Sequence, residues 1–306
     1  VLAALLALLA GVTTLVYGGD RVVDGASALA RHAGVSAFFV GVTVVSVGSS
    51  VPEIATSLYA AAYGSGDLVV GHIVGSATSQ ITLGVGVLSL AAPLSVAREK
   101  TRVYGGGMLA AMAVMAVMAV ALQSGTITRV QGALMVLAYL GFLAVLAEHE
   151  DYADHVDDSE LSLGRAAGSV LLGVALVVVG GHLLVTGGQR LAVQVGVPSY
   201  LVELVTGLGT TAPEIAVELV AVRRDRTGIA VGTLLGSNIT DPLFSLGVGA
   251  ALAGVHVTAV PGVLASVGYM LAASAVVLAI LYARRPVGRA GSLACLVLYV
   301  PTFFLG

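Results

Sequence analysis

Two stretches hold the residues best suited to chemistry: Val47-Gly48-Ser49-Ser50-Val51-Pro52-Glu53 and Leu208-Gly209-Thr210-Thr211-Ala212-Pro213-Glu214. Each sets a glycine, two adjacent hydroxyls, a proline and a carboxylate in the same order inside a long apolar run. A carboxylate at membrane depth costs roughly 2.5–3.5 kcal/mol on insertion scales, so a matched pair calls for something that offsets the charge. Pro52 cannot donate to the carbonyl of Gly48, and Pro213 leaves the carbonyl of Gly209 bare in the same way. Bare backbone at that depth is tolerated where it lines a cavity or an ion path. Ser49, Ser50 and Glu53 then fall within one helical turn, as do Thr210, Thr211 and Glu214. Each turn offers hydroxyl, carboxylate and backbone oxygens, the donors that suit a dehydrated hard cation.

A second pair of segments supplies the facing wall. Ser76 and Gln80 are four residues apart and share a helix face, as do Ser237 and Asp241. Gly75 and Gly236 leave room for close approach, and Asp241-Pro242 is expected to place another acid at another helix break. Together the four segments would offer Glu53, Glu214 and Asp241, the amide of Gln80, several hydroxyls and freed carbonyls, with no call on cysteine or histidine. An all-oxygen cage suits hard cations; Ca2+ takes about 6–8 oxygens, whereas thiolate or imidazole sets point to transition metals. Three carboxylates cannot remain together both empty and ionised, so the site requires cations or a proton. Calcium or several monovalent cations could each neutralise it, but not at once. Mutual exclusion over one site, with two arrangements of the surrounding helices, is an antiport mechanism.

Composition sets the medium in which these segments lie. The chain has 306 residues, of which 58% are hydrophobic and 10% charged, with a mean hydropathy of +1.01. Soluble chains carry about 25% charged residues, so an ordinary soluble domain is excluded. Ten membrane spans are expected, roughly at 1–30, 34–63, 67–91, 103–123, 128–147, 164–190, 195–222, 227–252, 258–283 and 287–305. The N-terminal apolar run lacks a basic lead-in and a clear cleavage site, so it reads as the first span. Asp20, Arg21 and Asp24 are expected near an interface or against partners. The 40 glycines fit close helix packing in a membrane. Met108, Met112, Met115 and Met118 recur at helical spacing and read as packing, as does the lone Cys295.

The spans repeat. Gly18-Gly19-Asp20, Gly25 and Gly34-Val35 recur as Gly180-Gly181-His182, Gly187 and Gly196-Val197. Farther on, Glu53 and Glu214 lie 161 residues apart, and so do Ser76 and Ser237. The expected organisation is a first five-helix repeat at 1–147, an acidic connection at 148–163 and a second five-helix repeat at 164–306. Five is odd, so the second repeat enters the membrane inverted, the plan of transporters whose site lies at mid-membrane between repeats.

Charge gives the orientation. Arg31, the Arg98/Lys100/Arg102 group, Arg165, the Arg223/Arg224/Arg226 group and Arg284/Arg285/Arg289 fall on one side, with Arg129 and Arg190 opposite. By the positive-inside rule both termini lie outside and the connection between spans five and six is cytoplasmic. That connection, 148–160, holds seven acids and two histidines but lacks the alternating oxygens and glycine turn of an EF-hand, so it reads as a solvated linker.

The motifs Gly48–Glu53 and Gly209–Glu214, with Gly75–Gln80 and Gly236–Asp241, resemble the paired repeats of the sodium/calcium exchanger family of cation/calcium antiporters. The resemblance extends over nearly the whole chain. It implies an all-α, ten-helix inverted-repeat membrane protein that moves Ca2+ against Na+ across the cell membrane by alternating access. Carried over position by position, the family's ion ligands fall on Ser49, Ser50, Glu53, Ser76 and Gln80, and on Thr210, Thr211, Glu214, Ser237 and Asp241. Backbone oxygens of Ser46 and Gly207 are implied to assist. The first repeat departs from the family's usual Ser-Asn-Ile-x-Asn, having Ser76-Ala77-Thr78-Ser79-Gln80 instead, a change that bears on selectivity more than on fold.

The expected partners are Ca2+, Na+ and the lipid bilayer, with no prosthetic group, no nucleic acid and no enzymatic role. Proton/calcium exchange is the alternative within the class. His72, where the family often has asparagine, reads as an interfacial hydrogen-bonder that would matter if protons drove exchange. A cation channel is the alternative outside it, since broken helices also build pores. An intramembrane aspartyl-type protease fits poorly, because flanking prolines and paired hydroxyls serve ions better than peptide hydrolysis. Glu218, one turn from Glu214 towards the cytoplasm, is expected to pair with Arg223 or face an inner vestibule, with the guiding of ions as the alternative; Glu203 has no acidic counterpart in the first repeat, and an outer-vestibule role is the lesser of its readings.

Overall fold

Apolar runs of this length become helices because a backbone in hydrocarbon must satisfy its polar groups within the segment. The computed structural model describes residues 1–120, 125–148, 161–195 and 211–304. In chain order these form α1 (Leu2–Ala33), α2 (Ala37–Ser49), α3 (Val51–Ala62), α4 (Gly66–Ala91), α5 (Arg98–Val120) and α6 (Arg129–Glu148). There follow α7 (Leu163–Gln194), α8 (Ala212–Arg223), α9 (residues 227–253), α10 (Val260–Ala283) and α11 (Arg289–Val297). The strands β1 (Thr126–Ile127) and β2 (Val255–His256) pair antiparallel, Thr126 opposite His256.

Among the described residues six helices are long and apolar enough to cross a membrane, or seven if α2 and α3 count as one broken span. The expected last span, 287–305, is instead the nine-residue α11 and a tighter turn at Val300–Phe304. Pro301 has no amide proton to continue the ladder, and Tyr299 and Thr302 turn to carbonyls three residues back.

The helices gather into two compact units: Val1–Ser49 with the described part of Asp151–Thr233, and Ser50–Glu150 with Leu234–Gly306. Each unit draws on both halves of the sequence.

In the first unit α1 and α7 lie antiparallel along most of their length. Gly11 meets Gly180, Gly18 meets Gly173 and Gly25 meets Ala166. The meeting positions recur every seven residues on each helix, and α7 repeats those of α1 at an offset of 162. A Cβ on Gly173 would sit 2.7 Å from the Val22 nitrogen, so the backbones approach only because these positions are small. α8 packs on α1, on α7 and on the last turn of α2. At its C-terminal end Arg224 binds Asp20 at 3.0 Å and Asp24 at 2.6 Å, the partners that these two acids of α1 required.

In the second unit α9 packs on α6 and α3, α10 on α5 and α4, and α11 on the end of α4. The methionine stripe of α5 is core, with Met108, Met112 and Met115 fully buried, and Cys295 is buried too. Asp67 at the start of α4 accepts from the backbone of Thr258 at 2.9 Å and Ala259 at 3.0 Å, anchoring the entry to α10.

Among the described residues three helices contain a π-helical turn: Gly41–Val45 in α2, Gln80–Gly84 in α4 and Asp241–Ser245 in α9. Such turns are frequent at functional sites. Asp241-Pro242, expected to break its helix, instead lies inside one of them. The wider turn absorbs the amide that proline lacks, and α9 continues to Ala253.

Candidate ion-binding site

Both prolines of the acidic motifs sit in the first turn of a new helix, where a missing N–H is not required. α2 ends at Ser49, Ser50 leaves the helical conformation (φ −80°, ψ 9°), and α3 begins at Val51. Thr211 stands just before α8 with φ −89° and ψ 0°. The interruption expected at Pro52 is therefore present, at Ser50, two residues ahead of the proline. Glu53 and Glu214 then fall in the first turns of α3 and α8, where unbonded N–H groups favour negative charge.

The first unit holds Ser46, Ser49, Thr211 and Glu214, all buried. The hydroxyl of Ser49 donates to the carbonyl of Ser46 at 3.2 Å, and the hydroxyl of Ser46 donates to that of Val42 across the π-helical turn. This unit joins the hydroxyl end of the first motif to the carboxylate of the second.

The second unit holds Ser50, Glu53, Ser76, Gln80, Ser237 and Asp241. Glu53, Gln80 and Asp241 are each 0% exposed. Gln80 and Asp241 open their π-helical turns at positions 161 residues apart, so the repeat that aligns the sequence also aligns the distortions. The Asp241–Ser245 turn packs against α3, α4, α5 and α6 and is the hub of the unit. Ser245 donates to Asp241 Oδ1 at 3.2 Å, and the Ser50 hydroxyl and Gln80 amide lie beside the same carboxylate. The Gln80 side chain also donates to the Ser76 hydroxyl at 3.3 Å and accepts from Asn238 at 3.1 Å.

Two residues enter this set that the sequence reading did not place there. Asn238 holds Gln80 in position, bonding both its side-chain oxygen and the carbonyl of Leu234. Its signal was its place within the second motif, beside Ser237. His72, read as an interfacial hydrogen-bonder, brings Nε2 to 3.8 Å from Glu53 Oε1 and has no hydrogen-bond partner at that atom among the described residues. It lies five residues after Asp67 on α4, and helical rise carries it inward from the anchored end. Gly207 and Thr210, also expected as ligands, lie outside the described residues, as do Glu203 and the acidic stretch from His149 to Glu160.

Among the described residues no group of three or more His, Cys, Asp and Glu side chains could hold a metal ion. The second unit's set mixes carboxylates with amides and hydroxyls, the composition of an oxygen cage for a hard cation rather than of a transition-metal centre.

The pattern of the family described as sodium/calcium exchanger protein matches residues 3–147 and 165–305. The chain belongs to the sodium/calcium exchanger family. This family member is similar to a protein of Alkalimonas amylolytica named "Putative antiporter CaxA", with 31% identity over 211 residues, 65% of each chain. It is also similar to an uncharacterised membrane protein of Methanocaldococcus jannaschii, with 25% identity over 199 residues, 64% of each chain. The matches to these two relatives therefore span just under two thirds of their lengths. The sodium/calcium exchanger MaX1 of Methanosarcina acetivorans matches at 32% over 84 residues, 27% of this chain and 24% of its own.

Among solved structures, the sodium-calcium exchanger NCX_Mj soaked with zero Na+ and Ca2+ superposes with a TM-score of 0.81 at 24% identity, covering 97% of both chains. Its form soaked with 2.5 mM Na+ and 0.1 mM Ca2+ gives 0.80 at 24% identity, over 98% of this chain and 97% of the other. At that identity the likeness is one of fold. The family member has the mostly helical, multi-pass membrane fold of the exchangers.

Proposed function

We propose that the chain is a secondary antiporter exchanging Ca2+ for Na+ across the cell membrane by alternating access. The observation that carries this reading is the buried oxygen set around the Asp241–Ser245 turn, with Gln80 and Asp241 at mirrored helix distortions and Glu53 just after a helix interruption. Ser46, Ser49, Ser50, Glu53, Ser76 and Gln80 act with Gly207, Thr210, Thr211, Glu214, Ser237 and Asp241 as ligands of the transported ions. Repetition of the acidic motifs supports a joint role, since a position duplicated in context is under the same chemical demand twice. The repeats are 1–147 and 164–306, joined by the acidic connection, and the antiparallel α1 and α7 support their inversion. Both termini lie outside and the connection lies in the cytoplasm, as the arginine distribution favours.

In this mechanism the carboxylates stay neutralised throughout. Calcium brings two charges, or several sodium ions bring the same, and neither class fits while the other is bound. Exchange follows because the empty, fully charged site is the costly state in a medium of low dielectric.

A second reading, proton/calcium exchange, is favoured by one observation, the 3.8 Å approach of His72 to Glu53. Calcium efflux from loaded proteoliposomes separates the two. External sodium is expected to drive efflux with no pH gradient, and the rate is expected to be unchanged when a gradient is imposed without sodium. Efflux that follows the pH gradient alone would replace the sodium reading with the proton one.

A further inference from the structure

Glu218 takes no part in the site described above. It lies on α8 one turn beyond Glu214, on the same buried face, and is 0% exposed. Helical rise separates the two positions by about 6 Å along the axis. Among the described residues neither of its carboxylate oxygens has a hydrogen-bond partner. The ion pair expected with Arg223 is not formed, and Arg224 is held by Asp20 and Asp24. The neighbouring positions on its face are Val217, Ala221 and Val222, which give a carboxylate nothing.

The mirror position in the first repeat is Ser57, one turn beyond Glu53 and equally buried, so only one repeat has a carboxyl group there. That group stands about 8 Å inside the end of α8 at Arg223, where Arg224 and Arg226 follow. A cation entering from this end passes a mixed cluster, Arg223, Arg224 and Arg226 with Asp20, Asp24 and Asp225, before it meets Glu214. A carboxyl group between that cluster and Glu214 offers the dehydrating cation oxygen ligands where solvent screening has been lost. Thr233, at a comparable depth on α9 beyond the short turn, adds a second buried oxygen with no hydrogen-bond partner among the described residues.

We infer that Glu218 is a transit site for the transported cation, Ca2+ or Na+, between the arginine-bearing face and Glu214. It gives that face an entry step which the opposite face lacks. The inference rests on the antiporter reading and extends it to a residue outside the mirrored motifs.

The test uses the whole chain in proteoliposomes of uniform orientation, with calcium presented in turn at each face and half-saturation of sodium-dependent flux recorded. Glu218→Gln is expected to raise the half-saturating calcium concentration about tenfold at the arginine-bearing face and to leave the other within about twofold. Glu218→Asp, which keeps the charge on a shorter stem, is expected to shift the same face by less. An equal shift at both faces, or no change at either, overturns the inference in each variant, so the aspartate protein decides if the glutamine protein does not assemble. A wild-type chain that moves no calcium defeats the antiporter reading itself, whereas a working wild type with a symmetric response defeats only the transit site.

Discussion

At Asp241 a single exchange of oxygen for nitrogen separates charge from shape. The side chain accepts from Ser245 at 3.2 Å and opens the turn on which α3, α4, α5 and α6 converge. Asp241→Asn keeps an acceptor for Ser245 and nearly the same volume, so the fold is expected to survive. It removes a formal charge from a fully buried oxygen set, and calcium affinity is expected to fall about a hundredfold, equivalent to ~3 kcal/mol. Calorimetric titration of the purified variant with calcium checks this; affinity within about twofold of wild type would remove Asp241 from the site. Gln80 shows how far residue identity alone carries the reading. Its extra methylene, relative to the asparagine usual in the family, marked it as unusual in the sequence. That it is held by Asn238 at 3.1 Å depends on two helices meeting and could not be read from spacing.

The elements were legible in proportion to the regularity of their signals. Pro52 and Pro213 announced an interruption, and the first motif has one between α2 and α3, because proline fits the first turn of a helix and not its interior; the second motif ahead of Thr211 lies outside the described residues. The π-helical turns were invisible, since inserting one residue into a helix changes its hydrogen bonding without changing its composition. Hence Asp241-Pro242 read as a break and proved to be a widened turn. The abundance of glycine predicted close packing, but which glycines meet depends on the pairing of α1 with α7. Gly173→Val is expected to drive a side chain into the backbone of α1 and cost about 1–3 kcal/mol by overpacking. Gly168→Val, at a position where a Cβ would meet nothing within 4 Å, is expected to leave the protein unchanged. Thermal unfolding in detergent compares them: a lowered midpoint for the first alone supports the glycine contact, and equal midpoints would reject it.

Over the whole molecule the sequence reports chain order and symmetry, while compactness follows from contacts that chain order does not show. The repeat was legible because the offset between Glu53 and Glu214 returns between Ser76 and Ser237. The compact units were not, because each combines segments from both repeats. Membership of the sodium/calcium exchanger family follows from the pattern matched over 3–147 and 165–305, and the doubled motifs had already pointed there. The doubling has a physical reason. A carboxylate buried in an apolar bundle must be neutralised in every state, and two cation classes that neutralise the same oxygens exclude one another. Calcium titration of the purified wild-type chain at increasing sodium, with ionic strength held constant, tests that claim most directly. The apparent calcium dissociation constant is expected to rise at least about tenfold as sodium saturates. A constant that does not change with sodium would contradict it.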